Sequence, residues 1–207
     1  MNVDAVTAEI RRIVPTLEGW CSPIRAARYA TLIFERKLGV SVCLGVWGGR
    51  DVIAMALAHR ALGQGKCVAV DAWSASVSAA GQTGADHAYW NDQKKHDIVY
   101  QGFLERVRVL GLGAWVEVHR ALSNDVAVPK DIGMLIVDGN HGPQSVKDVD
   151  RWAPSVAQNG VVFLDDLDWK GGSVRAAEKR LLALGFKNAG PSDNGAFYER
   201  KARCCGG

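Results

Sequence analysis

SVCLGVWGGRDVIAMALAHR, residues 41–60, changes its hydrophobic period at the centre. Ser41 to Val46 is a nearly unbroken apolar run, the pattern of a strand buried on both faces. From Asp51 the apolar residues Val52, Ile53, Ala56 and Leu57 fall at helical spacing. Gly45, Gly48 and Gly49 stand between the two halves. A buried strand ends in a glycine turn and a helix begins.

The same alternation continues along the chain. Strands are predicted at 41–46, 67–71, 115–119, 133–137 and 161–165, and helices at 51–62, 92–110, 144–157 and 173–184. Strands separated by helices imply a parallel sheet covered on both faces. Two amphipathic helices, 3–14 and 23–37, precede the first strand, the second with Ser22 as cap and Pro23 at its first position. Phe186–Ala189 and Ala196–Arg200 read as strands separated only by GPSDNG. So short a connection joins antiparallel strands, because a parallel crossover takes roughly a dozen residues. The sheet is therefore mostly parallel with one strand reversed near an edge. Residues 72–91 lack clear periodicity and carry Trp73, Tyr89 and Trp90, as a mobile cover over a site would.

Composition narrows the class of ligand. The 207 residues suffice for one well-buried domain. Basic residues number 25 against 22 acidic, with no basic block of the kind that follows a nucleic-acid backbone, so small molecules are the expected partners. No run approaches the ~20 apolar residues of a membrane span. Asp4 and Glu9 make the first residues unlike a signal peptide. Cys21, Cys43, Cys67, Cys204 and Cys205 form no CxxC pair and are odd in number, which fits reduced thiols in a cytoplasm.

Ligands of open α/β sheets bind at the carboxyl ends of the strands, where strand order reverses. Glycines after the first strand let a ligand approach the backbone, although a plain tight turn also uses them. Asp71 ends the next strand, CVAVD, where a carboxylate accepts from both hydroxyls of a ribose. The alternative is an aspartate capping the following loop. In a dinucleotide fingerprint the second glycine makes room for a pyrophosphate. Trp47 occupies that place, so the expected nucleoside carries no pyrophosphate. S-adenosylmethionine is such a ligand.

Downstream, LIVDGNHG puts Asp138 at the end of the fourth strand, and VVFLDDLDW puts Asp165 and Asp166 at the end of the fifth. Three converging carboxylates call for a counter-charge, and a hard divalent cation such as Mg²⁺ or Mn²⁺ fits an all-oxygen site. His141 lies three residues after Asp138, where a neutral imidazole can take a proton from a hydroxyl. His59, His87, His96 and His119 read as surface or packing residues, with His87 a weak candidate for the cover.

GWCSPIRA, VCLGVWGGRD, VAVDAW, LIVDGNHGPQSVKDVDRWAP and GVVFLDDLDW together resemble the class I S-adenosylmethionine-dependent methyltransferases, from about Trp20 to Trp169. The branch they look most like is a small bacterial one, related to macrocin-type sugar O-methyltransferases and cephalosporin-hydroxylase-like proteins. The resemblance implies a Rossmann-like three-layer sandwich, with a seven-stranded sheet whose last strand is reversed. It divides the chain into an N-terminal helical segment, 1–38, and one methyltransferase domain, 39–207. By position it implies that Gly45, Val46, Trp47 and Gly49 line the methionine part of the cofactor and that Asp71 takes the ribose. Trp73 would lie near the adenine and Ser123 would reach its edge. Asp138, Asp165 and Asp166 match the acids of metal-dependent members, Asp138 also counting among the cofactor contacts, with His141 placed to act as base. One departure stands out: the family usually carries an acid in the first strand where this chain has Cys43.

The expected activity is a metal-assisted O-methyl transfer to a small hydroxylated molecule. A nicotinamide-dependent reductase is disfavoured by Trp47 and the terminal hairpin. A non-catalytic binding or assembly member of the fold finds its support in Cys43. Self-association is compatible with all three.

Overall fold

A computed structural model describes residues 2–170 and 172–200. Seven strands form one sheet: β1 Val40–Leu44, β2 Lys66–Asp71, β3 Val116–Arg120, β4 Ile132–Val137, β5 Val156–Leu164, β6 Phe186–Ser192 and β7 Gly195–Arg200. Their spatial order is β3-β2-β1-β4-β5-β7-β6. β1 to β5 run parallel, and β7 lies antiparallel between β5 and β6. The reversed strand is thus the last one, one place in from the edge. Only Asp193 and Asn194 separate β6 from β7, and Asp193 takes a positive φ of 51° there, as a tight hairpin requires.

The helices are α1 Val3–Ile13, α2 Pro23–Arg36, α3 Arg50–Leu62, α4 Ala75–Ser78, α5 Gly84–Trp90, α6 Gln93–Val109, α7 Gln144–Trp152 and α8 Val174–Ala183. Strand alternation sorts the core into two sides. Cys43, Ala69, Met134, Ile136 and Phe163 face α1, α2, α3 and α6. Val42, Leu44, Val70, Leu135 and Leu164 face α7 and α8. Three layers result.

Some boundaries differ from the sequence reading. The helix expected to reach 157 stops at Trp152, because Pro154 follows in a short 3-10 turn, and β5 then begins at Val156. Residues 72–91, expected to be irregular, contain α4 and α5. Cys21, Cys43 and Cys67 are free and buried, while Cys204 and Cys205 lie outside the described residues. Among the described residues no helix is long and apolar enough to cross a membrane.

His59 is a packing residue, fully buried on α3, with Nε2 2.9 Å from Ser41 Oγ and Nδ1 3.2 Å from Gln64 O. Burial lowers its pKa from 6.5 to about 4. The unfolded chain therefore binds a proton below pH 6.5 that the folded chain refuses until about pH 4. Stability is expected to fall as pH drops through that window, by on the order of 3 kcal/mol. Urea melts at pH 7 and pH 4.5 check this: His59→Gln should flatten the difference, and an equally steep loss in the variant would remove His59 as its cause.

Candidate active site

The cleft lies where strand order reverses, at the carboxyl ends of β1 and β4. Gly45 and Gly49 both have φ of 86°, which glycine adopts without strain. Each glycine of the turn also has a close protein neighbour. A Cβ on Gly45 would stand 2.0 Å from Asp138 O, one on Gly48 2.3 Å from Glu18 O, and one on Gly49 2.3 Å from the Phe103 ring. The bare backbone thus lets β4, the segment before α2, and α6 close on the turn.

Asp71 binds that turn directly. Its Oδ2 accepts from the amides of Val46 and Trp47 at 2.8 and 3.0 Å, and its Oδ1 from the amide of Trp73 at 2.7 Å. Trp73, expected near an adenine, has its ring in the core instead: it is 0 % exposed, packs on Tyr100 and Phe103, and donates Nε1–H to Trp47 O at 3.0 Å. Ser123, expected at the adenine edge, opens the short 3-10 turn after β3 and is partly exposed. Its hydroxyl donates to Asp148 at 2.6 Å and accepts from Gln144, both on α7.

Trp47 does not shield the turn alone. Its ring meets Trp90 at 4.9 Å, His96 at 5.2 Å and Trp20 at 6.3 Å between centroids. Lys95 Nζ lies over the Tyr89 ring. Trp20 remains 64 % exposed. The aromatic residues of 72–91 other than Trp73 therefore do gather over the glycine turn, joined by Trp20 from before α2. His87 sits exposed on α5.

Asn140 ties this cover to the β4 loop, donating to Val77 O at 3.3 Å and Ala80 O at 3.0 Å. Its Oδ1 accepts from Gly142, which fixes the amide orientation. Two neutral hydrogen bonds are worth about 1–3 kcal/mol together. Asn140→Ala should therefore speed amide exchange in residues 75–80 roughly tenfold. Unchanged exchange there would show that α4 is held by other contacts.

The acids divide into two groups. Asp165 was expected among the metal ligands, and the structure corrects this. Its Oδ2 is 2.6 Å from Arg25 Nη1 and its Oδ1 accepts from the Asp166 amide, and it is not among the acids whose ligand atoms converge with His141. The counter-charge inferred from the sequence exists for Asp165, but it is a buried guanidinium. Arg25 was missed. Its signal was present in helix 23–37, where Arg25, Tyr29 and Ile33 fall four apart on the buried stripe.

Asp138, His141 and Asp166 form the second group, each partly buried, with one ligand atom apiece all within 4.8 Å of one another. His141 Nε2 is 2.5 Å from Asp166 Oδ2, yet neither ring nitrogen has a hydrogen-bond partner of proper alignment. The ring stacks on Trp169 at 4.6 Å. Asn194 donates to the other oxygen of Asp166. Burial, then the charges of Asp165 and Asp51, hold Asp138 well above the usual carboxylate range. A cavity of about 10 Å³, lined by Asp138, His141, Ser145 and Asp165, has room for one water-sized ligand. Asp138 and His141 line it and Asp166 lies against His141; two carboxylates and an imidazole are a donor set that fits a divalent cation.

The sequence matches the family model described as a methyltransferase domain over residues 42–167, more than half of the chain. No curated protein matches it. The fold is similar to that of the O-methyltransferase NovP, with a TM-score of 0.68 and 16 % identity over 86 % of this chain and 80 % of that one. It is similar to the SAH-bound methyltransferase PaMTH1 of Podospora anserina, with a TM-score of 0.62 and 12 % identity over 95 % and 88 %. The O-methyltransferase TomG of Streptomyces achromogenes, solved with SAM and involved in tomaymycin synthesis, gives a TM-score of 0.60 and 14 % identity over 96 % and 88 %. The chain belongs to the methyltransferase-domain family and has the fold of the class I S-adenosylmethionine-dependent methyltransferases.

Proposed function

We propose that this protein transfers a methyl group from S-adenosylmethionine to a hydroxyl of a small molecule, with a divalent cation held by Asp138, Asp166 and His141. The observation that carries the metal is the convergence of those three ligand atoms within 4.8 Å, beside the glycine turn. Of the two ions expected, the imidazole ligand favours Mn²⁺ over Mg²⁺. When bound, such an ion lowers the pKa of a substrate hydroxyl and orients it.

The residues of the chain supply the rest. Asp71 keeps about one of its four acceptor directions after three backbone bonds. That supports contact with one ribose hydroxyl, in place of the two expected. Gly45, Val46, Trp47 and Gly49 form the wall against which the amino-acid tail would lie. Trp20, Tyr89 and Trp90 exclude water above it, and a drier cleft strengthens each charge interaction within.

Transfer of labelled methyl into a panel of hydroxylated acceptors tests this reading. Activity should stop on exhaustive chelation and return with Mn²⁺. Activity that survives chelation would favour a metal-free site in which Asp166 orients His141 as general base, a reading that their 2.5 Å contact also supports. Binding of S-adenosylhomocysteine with no transfer to any acceptor would favour a non-catalytic member of the fold.

A further inference from the structure

Asp51 is the second residue of α3, in the first turn after the glycines. It is 7 % exposed, and its Oδ1 has no hydrogen-bond partner. The nearest cation, Arg25 Nη2, is 3.9 Å away, too far to donate. Arg25 is already engaged with Asp165 at 2.6 Å, and its Nε faces Asp193 at 3.6 Å. One guanidinium thus stands among three carboxylates, and Asp51 has the weakest hold on it. A buried carboxylate oxygen without a donor is destabilising unless a ligand completes it.

The position of Asp51 says which part of a ligand that is. It stands two residues beyond Gly49, and the guanidinium beside it holds Asp165, which lines the cleft cavity together with Asp138. Cys43 is itself fully buried, with its thiol donating to Gly45 O at 3.1 Å. It closes the floor as a neutral group and offers no anion. The anion at that place therefore comes from the next element of the chain, one turn into α3. S-adenosylmethionine carries one primary ammonium, on the tail that would lie along Gly45 to Gly49. We infer that Asp51 binds the α-ammonium group of the cofactor's amino-acid tail and so replaces an acid absent from β1. This inference rests on the reading that the chain binds S-adenosylmethionine.

Calorimetric titration separates the two. The ligands are S-adenosylhomocysteine and its deaminated analogue, which lacks only the α-amino group. Wild type should bind the analogue ten- to a hundredfold more weakly, the worth of one charge-assisted hydrogen-bonding group. Asp51→Asn should bind S-adenosylhomocysteine with a similar loss, and should no longer distinguish the two ligands. Asp51→Glu should recover part of the difference. Thermal melting of Asp51→Asn serves as the folding control; removing one of three clustered negative charges should leave the melting temperature unchanged or raised. If Asp51→Asn still discriminates the ligands as wild type does, Asp51 is not the ammonium partner. The same holds if both ligands weaken equally in the variant. A wild type that binds neither ligand overturns the cofactor reading itself.

Discussion

Asp166→Asn is expected to cut methyl transfer by roughly 10²–10⁴-fold while S-adenosylhomocysteine still binds within a few-fold of wild type. The residue sits just beyond β5 at a positive φ of 52°, a conformation that asparagine tolerates well, so the backbone survives the change. One oxygen accepts from Asn194 and the other faces His141. Both chemical readings need this carboxylate, either as a ligand or as the group that orients the imidazole. Asp166 is not among the expected cofactor contacts, most of which lie at the ends of β1 and β2, which explains why affinity should be spared. Steady-state rates and a binding titration on the same preparation check the split. Full activity in the variant would remove the whole group of Asp138, His141 and Asp166 from the mechanism.

Arg25→Met should be the most destabilising of the substitutions considered. The guanidinium is 1 % exposed and joins α2 to β5 through Asp165, and it is the cation nearest Asp51. Its removal leaves buried carboxylates without compensation, and breaking one side of such a pair costs about 3–5 kcal/mol. For a chain of this length that lowers the melting temperature by roughly 6–20 °C. Adding Asp165→Asn to Arg25→Met should restore part of the loss, because the stranded charge is then gone. A melting temperature that stays within a degree or two in the single variant would show that the cluster is already solvated.

The contrast between Asp165 and Asp166 shows where the sequence is legible and where it is not. Two adjacent acids at a strand end read alike, because strand period alone says only that they point to opposite sides. Which of them meets a cation depends on a residue 140 positions earlier, Arg25. That pairing is tertiary, although the buried stripe of α2 gave a sign of it. The alternation of strands and helices, the reversed last strand and the turn after β1 were readable, since each rests on local period or on loop length. Trp73 was misplaced for a related reason. Resemblance fixes a position along the chain, but the core decides where a side chain points. Trp73 fills space beside Phe103. The glycines carry a related lesson. Their spacing was read as room for a ligand, and Gly45, Gly48 and Gly49 turn out to be needed where the protein's own groups press on the turn.

The central claim is that the cleft between β1 and β4 is an S-adenosylmethionine site. Calorimetric titration of the full chain with S-adenosylhomocysteine, and in parallel with NADH, tests it most directly. Saturable binding of S-adenosylhomocysteine at one site per chain, with no heat from NADH, is the predicted result. Saturable binding of NADH with none of S-adenosylhomocysteine would contradict the account.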